Sequence, residues 1–114
     1  MLVSIIFFDR ITFMSRPFAN DNAFRAIADP TRRRVLDLLR RGDCTVGEIA
    51  LAIRIPFVNL SPHLRVLRTA GLIKQRRRGV QRVYGLSVAD LRYVSGWIQP
   101  FEPFWRTAAK SPDR

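Results

Sequence analysis

Between Glu48 and Asp90 the chain carries no acidic residue, and inside that stretch a helical pattern gives way abruptly to a strand pattern. In "NLSPHLRVLRTAGLI", residues 59–73, Leu60, Leu64 and Leu67 recur at spacings of four and three, which stacks them on one helical face. Gly71 supplies a stop. Then "LIKQRRR" and "RVYGLS" flank Gly79-Val80-Gln81, two short strands around a tight basic turn. A leucine-faced helix followed at once by a cationic hairpin leaves few folds open.

The segments upstream narrow the choice. "NDNAFRAIAD" sets Phe24, Ile27 and nearby alanines in helical register, with Asp21 as its cap. "DPTRRRVLDLLRRG" reads as a strong helix. Asp29 caps it, Pro30 suits the first helical position and Gly42 the stop. Val35, Leu36, Leu38 and Leu39 face inward, while Arg32 to Arg34 and Arg40-Arg41 read as a solvated face. "TVGEIALAI" opens on a Thr45…Glu48 capping box and offers Ile49, Leu51 and Ile53 as apolar surface. After the hairpin, Ser87 and Asp90 have capping-box character and begin a last helix over residues 88–109. There Leu91, Val94, Trp97, Ile98, Phe101, Phe104, Trp105 and Ala108 keep helical spacing across Pro100 and Pro103.

The order is helix, helix, short helix, helix, hairpin, helix. A short helix, a turn and a longer helix make a helix-turn-helix, and a basic hairpin directly after it is a wing. The expected fold is mainly α with a small β-hairpin, a winged helix-turn-helix. It spans residues 19–87, between an N-terminal extension (1–18) and a C-terminal dimerisation helix (88–109) with a short tail (110–114).

Charge points to the partner. The 114 residues hold 20 Lys and Arg against 9 Asp and Glu, a formal +11. Arg54, Arg65, Arg68, Lys74, Arg76, Arg77, Arg78 and Arg82 all lie in the acid-free segment. A surface shaped only for solubility mixes signs, whereas a one-signed segment implies a polyanion, most often nucleic acid. One cysteine, Cys44, excludes an internal disulfide and fits a reducing cytoplasm. No apolar run reaches the length of a membrane span. For the opening "MLVSIIFFDRITFMSRP" two readings stand. It is a β-like arm, or translation begins at Met14; the aggregation hazard of an exposed "SIIFF" inclines the balance to the second.

Here the chain resembles the ArsR family of winged-helix repressors. The matching stretches are "AIADPTRRRVLDLL", "TVGEIA", "LSPHLRVLRTAGLI" and "QRVYGLS", without a gap over roughly residues 23 to 87, and "WIQPFEPFW" resembles the tail of metal-independent members. The resemblance implies a homodimeric repressor whose first and last helices build the dimer interface and which binds a palindromic operator. Founding members sense metals through a Cys-Val-Cys pair, where this chain carries Thr45 and Gly47. Others use His and Asp on the last helix, where residues 88–109 hold no His and, of aspartates, only Asp90. One His and one Cys do not make a tetrahedral site, so no metal and no other cofactor is expected. Cys44 aligns with a position that is usually apolar, which favours packing over redox sensing.

Pro62 admits two structures. Either a helix starts near Pro56 and Pro62 bends it, or residues 56–60 form a separate turn and Pro62 opens the helix after Ser61. The gapless match favours a helix of about 57–70 with a distorted start. Asn59, Ser61, His63, Arg65 and Arg68 then spread over its outer arc as DNA contacts. Phe57 and Val58 either pack on the preceding helix or press on a thymine methyl, and His63 either caps or packs, or meets a phosphate. Lys74, Arg76, Arg77, Arg78 and Arg82 charge the wing, with about three true contacts because strand residues alternate sides. The stripe Trp97, Phe101, Phe104 and Trp105 is the expected dimer interface.

The leading function is thus a homodimeric repressor of transcription, cytoplasmic, bound to double-stranded DNA, with no membrane partner. A nonspecific RNA or nucleoid binder would use the same charge with less base readout. A winged helix that binds only protein is opposed by the acid-free segment. Catalysis is least favoured: Ser61 and His63 lie two apart on one helix and do not face each other.

Overall fold

A computed structural model describes residues 17–109, with side chains from 22 to 106. Readings placed on residues 1–16, including the start at Met14, and on the tail 110–114 lie outside the described residues.

The first helix, α1 (Pro17–Ile27), begins four residues before the expected cap, so Asp21 lies inside it. Proline suits a first helical position, because the first turn leaves its N–H groups unpaired anyway. α2 (Pro30–Leu39) is capped as its sequence implies: Asp29 Oδ2 accepts from the Arg32 N–H at 3.0 Å, and Pro30 stands at the start. Val35, Leu36 and Leu39 are buried, and Leu38 packs on the core from its edge. After Gly42 (φ 149°) a two-residue strand, β1 (Cys44–Thr45), leads into α3 (Val46–Ile53). Both bonds of the capping box form, Glu48 N–H to Thr45 Oγ1 at 3.1 Å and Thr45 N–H to Glu48 Oε1 at 2.8 Å. Ile49 and Ile53 are buried, whereas Leu51 points to solvent.

α3 ends at Arg54 in the left-handed region (φ 59°), and the turn to α4 (Phe57–Thr69) takes only Arg54, Ile55 and Pro56. Pro62 lies inside α4, which starts with Pro56 as its cap residue. The Leu60 N–H reaches the Pro56 carbonyl at 2.9 Å, so the helix is already formed before the proline. Pro62 is the sixth residue of α4, so the backbone bond it cannot make is the one to the Val58 carbonyl. Leu60, Leu64 and Leu67 are buried against α2 and α3, and Gly71 (φ 78°) ends the helix.

Two strands follow, β2 (Ile73–Arg78) and β3 (Gln81–Leu86), antiparallel and joined by Gly79-Val80 alone. Gln81 pairs with Arg78 and belongs to the strand, not to the turn. Gly79 (φ 63°) is the first connecting residue, where a II′ hairpin turn puts glycine. The hairpin is not alone: β1 pairs with β3, Cys44 opposite Tyr84 and Thr45 opposite Val83, giving a three-stranded sheet in the order β1-β3-β2.

The C-terminal region differs from the single helix expected over 88–109. Ser87 makes no side-chain cap bond. A 3₁₀ turn (Val88–Asp90) opens α5 (Leu91–Ile98), a second 3₁₀ turn (Gln99–Phe101) follows, and α6 (Glu102–Ala109) completes it. Pro100 and Pro103 have no N–H for the carbonyls of Gly96 and Gln99, so the chain tightens there instead of continuing as one α-helix. α5 packs back on α1, where Phe24 meets Trp97 edge-on at 6.0 Å between ring centroids. Among the described residues no helix is long and apolar enough to cross a membrane.

Candidate nucleic-acid interface

With its three leucines inward, α4 turns Asn59, Pro62, Arg65 and Arg68 to solvent, while Ser61 and His63 are half-buried on its flanks. His63 is committed inward. Its Nδ1 lies 3.3 Å from Arg32 Nη1 and 3.7 Å from Asp29 Oδ2, so it ties the outer helix to the start of α2. This is the packing alternative for His63.

Arg65, Arg68 and Lys74 line one open hollow with Thr69, Ile73 and Gln75, so the end of α4 and the start of β2 form a continuous cationic surface. Farther along the wing the cations divide. Strand alternation sets Lys74, Arg76 and Arg78 on one side, Arg77 and Arg82 on the other. All five are exposed. Arg76 is paired with Asp43 at 3.2 Å, and Asp43 also lies over Gly85, where an added Cβ would come 2.6 Å from its Oδ1. Arg77 and Arg82 are direct cross-strand partners. Two like charges so placed destabilise a hairpin, and a bound polyanion removes that cost.

Phe57 and Val58 do not pack on α3. They are 57% and 74% exposed, and Leu51 on α3 is 82% exposed. The first turn of α4 is therefore an apolar tip set in cationic surroundings.

The arginines of α2 are mostly exposed, as a solvated face would be, with Arg32 half-buried, but all three also bond backbone carbonyls. Arg32 donates from Nε to the Ala26 carbonyl at 2.8 Å and from Nη2 to that of Arg25 at 2.9 Å. Arg33 reaches the Ile27 carbonyl at 2.9 Å, and Arg34 reaches that of Ile53. These groups bond carbonyls in the last turns of α1 and α3, where a helix leaves acceptors over; that of Arg25 also accepts from the Ala28 N–H at 3.2 Å. For Arg32 and Arg33 a signal was available: they lie in the first turn and a half of a helix that starts three residues after α1 ends. Arg40 and Arg41 are exposed, Arg40 being 3.7 Å from Asp37.

The carboxyl of Asp29 is held below its ordinary value by the Arg32 backbone N–H first, with His63 and Arg32 adding to it against the effect of burial. A lowered folded value means that Asp29 stabilises the fold fully above the usual carboxylate range, and that this is lost as the pH falls through the lowered value. Asp29→Ala is expected to cost about 1 kcal/mol near neutrality. Urea unfolding should show the gap from the parent protein closing in strong acid; an equal gap at both pH values would contradict the cap's role.

Cys44 is half-buried at the core's edge, and burial, with Glu48 and Asp43 nearby, pushes its thiol up and away from the thiolate. That suits a packing residue better than a redox sensor. Among the described residues no three His, Cys, Asp or Glu side chains gather as a metal site would require.

Along α5, the 3₁₀ turn and α6, Trp97, Phe101, Phe104 and Trp105 remain 48%, 46%, 77% and 49% exposed, with Trp97 against Phe101 at 5.0 Å. The aromatic stripe is continuous across the 3₁₀ turn and uncovered.

Comparison with known proteins agrees with this geometry. Residues 29–75 match the model of the bacterial regulatory protein, arsR family. The transcriptional repressor SdpR of Bacillus subtilis is 41% identical over 81 residues, 71% of this chain and 90% of that protein. The crystal structure of an ArsR family transcriptional regulator, RHA00566, is similar with a TM-score of 0.68 and 30% identity, over 79% of this chain and 93% of that one. The solution structure of the homodimeric winged helix-turn-helix DNA-binding domain of Mb0332 from Mycobacterium bovis aligns at 0.62 and 27% identity, over 75% and 79%.

Proposed function

We propose, from the premise that the chain belongs to the ArsR family and is a winged helix-turn-helix transcriptional regulator, that it acts as a homodimeric repressor reading a palindromic operator in the cytoplasm. The observation that carries this reading is the distribution of eight cations, with no intervening acid, over α4, the turn before it and the wing. In this reading α4 enters the major groove with Asn59 and Arg65 toward base edges. Ser61, His63 and Arg68 flank it, and about three of Lys74, Arg76, Arg77, Arg78 and Arg82 supply the wing's phosphate contacts, because the strands alternate sides. Residues 19–87 are the reading unit and 88–109 the dimerisation segment.

The dimer is supported by the uncovered stripe of Trp97, Phe101, Phe104 and Trp105, and by the homodimeric state of the Mb0332 domain. Two readers about 34 Å apart match successive major grooves on one side of B-DNA, which requires two protomers. The donor set favours a regulator that does not respond to metal: Thr45 and Gly47 replace the thiolate pair, and among the described residues no acidic or imidazole cluster stands in for it.

Arg82→Ala separates wing contact from bystander charge. It should weaken binding to every duplex alike and lower the slope of log affinity against log salt by about one. Relief of the Arg77–Arg82 opposition should leave the fold equally or more stable, by about 0.2 to 1 kcal/mol. Fluorescence anisotropy across a salt series checks both readouts with a melting curve alongside. An unchanged slope would remove Arg82 from the interface.

The exposed apolar tip of α4 favours a second reading, a nucleic-acid binder without sequence preference. Selected operator, random duplex and structured RNA compared at one salt concentration decide between them, since electrostatic affinity alone ranks no sequence.

A further inference from the structure

We infer that Phe57 and Val58, backed by Pro62, form an apolar reading tip that recognises thymine by its C5-methyl group; this deepens the proposed DNA-reading function and rests on it. With Leu60, Leu64 and Leu67 inward, the opposite stripe of α4 runs through Val58, Pro62, Arg65 and Thr69, at spacings of four, three and four. Val58 is thus the outermost side chain of the first turn, with the proline ring one turn behind it. Phe57, its neighbour in the chain, is exposed as well.

None of these side chains donates or accepts a hydrogen bond, so in the first turn polar readout of a base edge falls to Asn59 alone. They stand exposed, and their surroundings are cationic: Arg54 precedes the helix, Arg65 and Arg68 follow on it, and no carboxylate lies between residues 49 and 89. That charge selects a polyanion. Within the major groove of duplex DNA only the thymine methyl is an apolar group on a base edge. Pro62 suits such a tip, because its ring is rigid and adds apolar surface without a polar atom. The same device separates DNA from RNA, whose uracil lacks the methyl.

The test uses the full chain and duplexes that it selects from a randomised pool. Each thymine of the selected half-site is replaced in turn by uracil, which removes the methyl and nothing else. At one thymine per half-site the replacement should weaken binding about fourfold, the value of one buried methyl. Val58→Thr (equal in shape, polar at one branch) and Phe57→Ala should bind the thymine duplex more weakly and lose the distinction from uracil. Both positions are exposed, and unchanged melting temperatures confirm that the fold is intact. Selection of a defined sequence in which every thymine tolerates uracil overturns the inference and leaves the operator-reading function standing. No selected sequence at all overturns both. A change in the sedimentation behaviour of Val58→Thr, with DNA discrimination intact, makes the tip a protein contact and equally overturns it.

Discussion

Leu60→Ala is expected to lower the unfolding free energy by about 2 to 5 kcal/mol. Leu60 has no exposure and is held between α2 and α3, so the lost methyl groups leave a cavity that neighbours on three helices cannot close without moving. A small domain is stable by about 5 to 15 kcal/mol, so the variant sits near the edge of folding. Denaturant unfolding should show the midpoint falling with little change in slope, and duplex binding should fail at temperatures the parent tolerates. A loss below about 1 kcal/mol would mean that α4 is not seated on its leucines, and the assignment of its outer arc would fall with it.

The second large effect concerns the aromatic stripe. Phe101→Glu combined with Phe104→Glu should split the dimer into protomers that keep their secondary structure, because each change sets an unpaired carboxylate on a surface proposed to lie against its symmetry mate. Phe101 and Phe104 are exposed in the protomer, so its own core loses little. Once the protomers separate, the second half-site is no longer held at high local concentration, and affinity for a two-half-site operator should drop about 10² to 10⁴-fold. Sedimentation equilibrium and operator titration report the two results. A parent protein that sediments as a single protomer, or a double variant that binds as well as the parent, would contradict the interface.

Much of this architecture was legible because local chemistry and global fold agree. Asp29-Pro30, the Thr45–Glu48 box and the Leu60, Leu64, Leu67 spacing each specify an element boundary or face through interactions within one or two turns. What escaped depends on distant partners or on backbone details. β1 is two residues long and carries no alternation to read; it exists because β3 offers it an edge. The break at Gln99–Phe101 was hidden because apolar spacing runs straight across the prolines while the backbone cannot. The outward turn of Leu51, by contrast, follows from helix phase alone, since it lies two residues from both buried Ile49 and buried Ile53 and so on the opposite face.

The candidate interface divides in the same way. Exposure of Arg65, Arg68 and the wing cations follows from helix phase and strand alternation. The engagement of His63 by Arg32 and Asp29, 31 and 34 positions earlier, follows only from the packing of α4 on α2. The bare tip at Phe57 and Val58 was an open choice in sequence because both side chains are equally suited to packing.

The most direct measurement is a titration of isotopically labelled protein with its selected duplex, following every backbone amide. A surface laid on DNA through α4 and the hairpin predicts shifts concentrated in residues 57–69 and 73–82, with the outer face of α2 around Asp37 and Arg40 unmoved. Shifts gathered on α2, or spread evenly over the molecule, would contradict it.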